Sequence, residues 1–208
     1  LMIDLYSSPT PNGRKISILL EELGVKYKPI FINLEKKEQF SNNFSKLSPS
    51  NKIPVIVDKD NDKVIFESGA ILLYLAKKYK KFLNEENYWE IIQWVFFQMA
   101  YVGPMLGQAH QYLFYNPGKS KYAEEKTQGY TKHIYEILDK RLSENEFFSK
   151  KYSIADIAIW PWTARFERHQ INLNHYPNVL RWYLQISERP AVIKGYNVVG
   201  DFFEIPKP

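Results

Sequence analysis

The chain has 208 residues, of which 45% are hydrophobic and 25% charged, with a formal net charge of +5 and no cysteine. This length allows one large domain or two small ones, and this composition excludes a disordered, collagen-like or coiled-coil protein. The lack of cysteine excludes a disulfide scaffold, a thiolate zinc site, an iron–sulfur cluster and a protein cysteine as the nucleophile.

The first part of the chain alternates strands with helices. Residues 3–6 are predicted as a strand and residues 7–13 as a loop. Apolar residues spaced at i, i+3, i+4 and i+7 then predict a helix from Lys15, which Gly24 ends. Residues 28–33 are predicted as a second strand, parallel to the first because crossover connections of this kind are right-handed.

A hairpin and a helix complete this part of the chain. Residues 55–57 and 64–66 are predicted as two antiparallel strands joined by a turn-rich spacer. Ser68 is expected to cap a helix over residues 70–79. The predicted order is therefore β-α-β followed by β-β-α, in a domain of residues 1–81.

The remainder, residues 85–208, is predicted as an all-helical domain, because strand signals stop and turn signals such as Gly103-Pro104 separate the helices. In residues 88–99, apolar and aromatic side chains surround most of the helix, so one face is expected to pack outside its own domain core.

Charge and hydropathy patterning exclude several partners. Basic residues are scattered among acidic ones, so we expect no nucleic-acid partner. No window reaches the about 18 apolar residues of a membrane span, and the N-terminus lacks the signal-peptide pattern. We therefore expect no membrane association and a cytoplasmic location. The four histidines lack metal-ligand spacing, so no metal is expected.

A proline opens one of the predicted strands, in the run Lys52-Ile53-Pro54-Val55. The missing N–H of proline is tolerated at this position, and a cis bond after Ile53 is plausible there. A cis bond would leave the backbone of Ile53 available to pair with an extended peptide. The alternative is an ordinary trans proline at the start of a strand.

Two further segments carry polar side chains where a strand meets a helix. At Glu67-Ser68, the hydroxyl and the helical N–H groups suit a carboxylate, and the acid beside them suits an ammonium group. The alternative is a plain helix cap. In the loop before the first helix, Thr10 and Asn12 suit an anionic sulfur. The alternative there is that Asn12 caps the helix and Thr10 is a loop residue.

The order of these elements resembles the glutathione transferase family over essentially the whole chain. Within that family, five segments resemble the Nu class, the bacterial disulfide-bond reductases related to the fungal nitrogen-regulator branch. They are YSSPTPNGRK at 6–15, NKIPV at 51–55, FESGAILLYL at 66–75, GPMLGQ at 103–108 and SIADIAIWPW at 153–162. The resemblance implies a thioredoxin-like N-terminal domain that binds glutathione and an all-helical C-terminal domain.

The resemblance also implies a role for individual residues. Glu67 and Ser68 would bind the γ-glutamyl end of glutathione, and Ile53 beside cis-Pro54 would pair with its cysteinyl backbone. The glycyl end would be reached by Lys52 and Gln39. Ser153 and Asp156 resemble the family's buried capping box at the start of a later helix, which Pro161 is expected to bend.

Thr10 and Asn12 would face the sulfur as the catalytic residues, Asn12 also binding the ligand. Tyr6 is a competing candidate for thiol activation, because tyrosine-type transferases keep their hydroxyl at this point of the first strand. His133 stands where close bacterial relatives are expected to have arginine. Because histidine is shorter than arginine and lacks its permanent positive charge, its contact with a second glutathione is expected to be weaker.

The implied function is that of a glutathione-dependent disulfide-bond reductase and transferase. Without a protein cysteine, the nucleophile is the thiolate of bound glutathione, which acts as co-substrate. The alternatives are a general detoxifying transferase or peroxidase, and a non-catalytic regulatory or binding protein. We expect a homodimer and a small disulfide or electrophilic second substrate. We also expect an enzyme rather than a regulator, because no Asn- or Gln-rich tract is present.

Overall fold

The first structural unit is built on a four-stranded mixed sheet. A computed structural model describes residues 2–208, and its sheet has the strand order β2-β1-β3-β4. β1 is parallel to β2 and antiparallel to β3, which in turn is antiparallel to β4. The predicted β-α-β and β-β-α order is confirmed. The strands are Ile3–Ser7 (β1), Tyr27–Phe31 (β2), Val55–Asp58 (β3) and Lys63–Phe66 (β4).

Helix α1, Pro11–Leu23, begins earlier than the apolar spacing predicted. Thr10 is its N-cap, and the Oγ1 atom of Thr10 accepts a hydrogen bond from the N–H of Gly13 at 3.1 Å. Proline suits the first helical position, because an N–H at this position has no intrahelical acceptor in any helix and nothing is lost when it is absent. Gly24 ends the helix with a left-handed φ of 68°, as predicted.

Helix α3, Ser68–Tyr79, corrects the prediction that Ser68 is a cap. Ser68 is the first helical residue, and the position before it is held by Glu67 with a φ of 69°. The Oγ atom of Ser68 is bonded instead to Lys15, 3.2 Å away. A hydroxyl engaged with a residue of another helix was not foreseeable from the local pattern. Between these helices lies the short α2, Asn42–Ser45.

The second part of the chain is helical, as predicted, but Gly103-Pro104 does not end a helix. Helix α4, Tyr88–Phe97, continues through the wider turns of Gln98–Val102 into α5, Gly103–Ala109. Proline lacks one N–H, and a local π-type turn accommodates the change in hydrogen bonding. The helices that follow are α6 (Lys121–Glu144), α7 (Ile154–Thr163), α8 (Pro177–Ser187) and α9 (Pro190–Tyr196).

The chain divides into two compact units, and the division differs from the predicted boundary at the C-terminus. The first unit takes the chain up to Leu83 together with Glu188–Ile205, and the second takes Asn84–Ser187 and the last three residues. The segment 188–205 joins the first unit because α9 packs on α1. There the Oγ atom of Ser17 donates to the carbonyl of Gly195 at 2.5 Å.

Close approach explains why that packing needs a glycine. A Cβ atom at Gly195 would lie 2.6 Å from the Cα of Ile18, too near for any side chain. The same contact is secured by Arg14, whose Nε donates to the carbonyl of Tyr196 at 2.9 Å while its guanidinium lies 3.6 Å above the Tyr196 ring.

In the second unit, the fully buried helix α7 begins with the predicted capping box. The N–H of Ser153 donates to Asp156 at 3.0 Å, and the Ser153 hydroxyl accepts from the N–H of Ala155 at 3.2 Å. Asp156 also accepts bonds from the Phe148 N–H and the Trp182 indole, at 3.1 and 2.9 Å. Within residues 2–208, no helix is both long enough and apolar enough to cross a bilayer.

Candidate functional site in the first unit

A groove opens where β3 begins beside the start of α3. Its walls come from three separate segments, because the strand order brings the loop before β3 and the end of β4 together with the first turn of α1. Five of the residues predicted for the site line it. The groove is lined by Asn12, Ser48, Ser50, Lys52, Ile53, Pro54, Phe66, Glu67 and Ser68.

The peptide bond between Ile53 and Pro54 is cis, as expected. The pairing of β3 with β1 begins only at Val55, opposite Tyr6, so Ile53 lies ahead of the sheet's own ladder. Its side chain packs on a small buried cluster that includes Phe44 and Val55. A backbone at this position is open to pairing by an extended chain in the groove.

Lys52 is oriented by the buried Ser48. The Ser48 hydroxyl donates to the carbonyl of Lys52 at 2.9 Å and accepts from the N–H of Lys52 at 3.0 Å. Both polar backbone groups of Lys52 are thereby satisfied inside the loop, while its side chain is exposed. The ammonium group is available to a carboxylate at this end of the groove.

Glu67 and Ser68 line the same groove. Glu67 is exposed and has a φ of 69°, a left-handed conformation that costs on the order of 1–3 kcal/mol for a residue with a Cβ. Ser68 is buried, and it opens a 12-residue helix whose first N–H groups have no intrahelical acceptors. Strain of this kind persists where the surrounding structure holds it, and functional sites are where it concentrates.

Lys15 belongs to this site, although the sequence analysis passed over it. Its side chain is buried, with 1% of its surface exposed, and its Nζ atom donates to the Oγ of Ser68 at 3.2 Å. Burial holds the pKa of Lys15 well below its ordinary value, and the negative charge of Glu67 acts in the opposite direction. A lysine directly before an apolar helical run was the one available signal.

Thr10 and Asn12 both belong to the first turn of α1, and both are half-buried. Asn12 lines the groove, whereas Thr10 does not. The Thr10 oxygen accepts from Gly13, so its hydroxyl proton points away from the helix. Gly13 is required here, since a Cβ would lie 2.3 Å from the carbonyl oxygen of Ser8.

The other candidates lie outside the groove lining. The Tyr6 ring packs on Phe44, with 6.2 Å between ring centroids. Gln39 follows β2 in a short 3-10 turn, and its buried Oε1 atom has no hydrogen-bond partner within residues 2–208. His133 is an exposed residue of α6 in the second unit, with Nδ1 3.8 Å from a carboxylate oxygen of Glu136.

No metal centre accompanies these residues. Across residues 2–208, no three His, Cys, Asp or Glu side chains stand close enough together to hold an ion. The groove offers charged groups of both signs, backbone pairing at Ile53 and the amide of Asn12, and the Thr10 hydroxyl lies outside its lining at the start of α1.

Comparison with known proteins relates both units to one family. Residues 2–77 match the family model of the glutathione S-transferase N-terminal domain, and residues 99–190 match that of the C-terminal domain. The disulfide-bond oxidoreductase YfcG of Escherichia coli is 45% identical over 198 residues, covering 91% of this chain and 92% of that protein.

Solved structures agree with this relationship. A glutathione transferase from Pseudomonas putida, solved with one glutathione disulfide per subunit, has a TM-score of 0.90 and 36% identity, covering 96% of this chain and 92% of that one. A family member from Pseudomonas fluorescens, solved with two glutathione bound, has a TM-score of 0.88 and 38% identity, covering 93% and 92%.

Proposed function

Because this chain belongs to the glutathione S-transferase family, we propose that it is an enzyme that reduces disulfide bonds with glutathione. The similar E. coli protein is named a disulfide-bond oxidoreductase, and the similar P. putida structure holds glutathione disulfide. The chain itself has no cysteine. The reacting thiolate is therefore supplied by glutathione and not by the protein.

The observation that carries this proposal is the meeting of five predicted binding residues in one groove. Glu67 and Ser68 bind the ammonium and carboxylate of the γ-glutamyl end, and the backbone of Ile53 pairs with the cysteinyl unit. Lys52 binds the glycyl carboxylate, assisted by Gln39 from the segment after β2. These groups match the two charged ends and the central backbone of an extended tripeptide.

Thr10 and Asn12 stabilise the thiolate in this proposal. A thiol with a pKa near 8.5 is only a few per cent ionised at pH 7. Hydrogen bonds from the Thr10 hydroxyl and the Asn12 amide, together with the positive end of α1, favour the ionised form. Neutral donors leave the sulfur nucleophilic, which suits exchange with a disulfide.

The reaction balances with two molecules of glutathione. The bound thiolate attacks one sulfur of the disulfide, forms a mixed disulfide with it and releases the other sulfur as a thiolate. A second glutathione thiolate then attacks the glutathione sulfur of the mixed disulfide and releases the remaining substrate thiol. The products are glutathione disulfide and two substrate thiols. The related structure with two bound glutathione molecules supports this stoichiometry.

The assembly we propose is a homodimer formed through α4. Trp89 and Phe96 lie seven residues apart on one face of this helix and are 72% and 59% exposed. Burial of two such aromatic side chains stabilises association by about 1.5–3 kcal/mol each. The cytoplasmic location and the contact of His133 with a second glutathione remain predictions.

Two assays on one preparation test the function. We expect glutathione-dependent reduction of hydroxyethyl disulfide, followed as formation of glutathione disulfide, to exceed conjugation of glutathione to an aryl halide. The same thiolate serves both reactions, so their ratio separates a reductase from a general transferase. Faster conjugation would favour the detoxifying enzyme, and binding of glutathione without either reaction would favour a non-catalytic protein.

A further inference from the structure

The buried Lys15 contacts the head-group end of the groove, which is the part formed by Glu67 and Ser68. It comes from α1, one turn after Asn12, and its Nζ atom lies 3.2 Å from the Oγ of Ser68. An ammonium group has three donors and no acceptor, so the Ser68 oxygen accepts this hydrogen bond. The rotation of the Ser68 hydroxyl is thereby restricted, with its proton directed away from Lys15.

Glu67 is the second group that acts on Lys15. Its negative charge favours the protonated lysine, against the effect of burial. A buried cation is costly unless it is paired, and its interactions are stronger in the low dielectric of the interior than in water. Lys15 thus interacts with both residues that form the head-group end of the groove.

We propose that Lys15 is a positioning residue that makes this end of the groove select the α-carboxylate of the γ-glutamyl unit. Its Nζ atom holds the Ser68 hydroxyl in place. The negative charge of a bound carboxylate, like that of Glu67, favours the protonated lysine beneath it. The ligand's ammonium group is recognised separately, by Glu67. This inference rests on the proposed binding of glutathione. It assigns the selection of the α-carboxylate in part to Lys15, a residue that does not line the groove.

The test combines one protein change with two changes of the ligand. Lys15→Met keeps the length of the buried side chain and removes its charge. Calorimetry measures the binding of glutathione and of two analogues. The first has 4-aminobutyryl in place of γ-glutamyl and lacks the α-carboxylate. The second has glutaryl in its place and lacks the α-ammonium.

We expect the wild type to bind glutathione about ten- to a hundredfold more tightly than the analogue without the carboxylate, the range for one charge-assisted hydrogen bond. In Lys15→Met this ratio should fall towards one, while the preference over the analogue without the ammonium is kept. In the disulfide assay, KM for glutathione should rise about tenfold and kcat should change by less than about threefold.

Ser17→Ala is the matched control. Ser17 is also buried on α1, but its hydroxyl is bonded to Gly195 and not to the groove. This variant should lose thermal stability and keep the ligand ratios of the wild type. A Lys15→Met protein that binds all three ligands more weakly by one common factor would show a structural role for Lys15 and overturn the proposal.

Lys15→Gln serves if the methionine variant does not fold, since its amide keeps a donor for Ser68 without the charge. Part of the carboxylate preference should be lost, because the charge is removed while the donor to Ser68 is kept, and an unchanged preference would overturn the proposal. If the wild type binds glutathione and the Lys15 variants have the same carboxylate preference as the wild type, this inference alone is refuted. Wild-type protein that binds no glutathione would refute the proposed function as well.

Discussion

The Nε2 atoms of His110 and His169 lie 3.0 Å apart in the second unit, with the two rings stacked at 4.9 Å between centroids. One nitrogen donates and the other accepts, so at least one of the two rings must be neutral for this bond to form, and protonation of both rings leaves no acceptor. Nδ1 of His169 is in turn bonded to the Tyr135 hydroxyl at 2.9 Å. The pair is a buried polar network that acid should break.

Stability should fall as the pH is lowered through the range of these histidines. Burial, followed by the charges of Arg165 and Arg168, lowers the pKa of His110 to about 4, and burial lowers that of His169 as well. Between the unfolded value of about 6.5 and the folded one, the unfolded chain binds protons that the folded chain does not. The loss due to His110 is roughly 2 kcal/mol near pH 5.

The measurement is the midpoint of thermal unfolding at a series of pH values from neutral to acid. His110→Gln keeps a group that can bond to His169, and it should make the fall of the unfolding midpoint with decreasing pH less steep. His175→Gln, at an exposed histidine, should leave it unchanged. Burial raises the pKa of Asp156 to about 6, an effect of opposite sign in the same range, so the comparison of variants isolates the histidine. Equal slopes in all three proteins would contradict the prediction.

Asp156→Ala should destabilise the second unit strongly. The carboxylate accepts bonds from two backbone N–H groups and from the Trp182 indole, all of them buried. Each donor left without an acceptor costs about 1–3 kcal/mol, so the free energy of unfolding should decrease by about 3 kcal/mol or more. Urea denaturation measures it. Ser153→Ala, which removes only the cap hydroxyl, should cost about 1 kcal/mol, and a larger loss there than in Asp156→Ala would refute this account.

Turnover should depend on Asn12. In the hydroxyethyl disulfide assay, Asn12→Ala should be about ten- to a hundredfold slower, which corresponds to one charge-assisted hydrogen bond to the thiolate. Thr10→Ala should have a similar or smaller effect. Tyr6→Phe is the control and should do little, because the Tyr6 ring packs on Phe44 away from the groove lining. Loss of activity in Tyr6→Phe alone would assign thiol activation to Tyr6.

The exposed face of α4 should hold two copies of the chain together. Light scattering at micromolar concentration should give the mass of a dimer, and Trp89→Asp should give a monomer, because it places a charge in an apolar interface. Tyr122→Asp replaces an equally exposed aromatic residue of α6 and should leave the dimer intact. A monomer mass for the wild type would refute the assembly.

Local patterns in the sequence determined much of this protein. Apolar periods and turn signals predicted the order of strands and helices in the first unit and the helical character of the second. Polar residues at a strand end predicted Glu67 and Ser68, and the proline that opens a strand predicted Ile53; the structure brings all three into one groove. The cysteine count determined that a thiol reaction here must use the ligand's sulfur. Each of these inferences depends on residues close together in the chain or on composition.

Only the tertiary structure decided which distant residues meet. Nothing local to Lys15 shows that it is buried against Ser68, which is 53 residues away, or that His110 pairs with His169, 59 residues away. The segment 188–205 joins the first unit because Gly195 allows α9 to approach α1 closely. Periodicity identifies the buried face of a helix but not the element that covers it, since that depends on the packing of all the faces together.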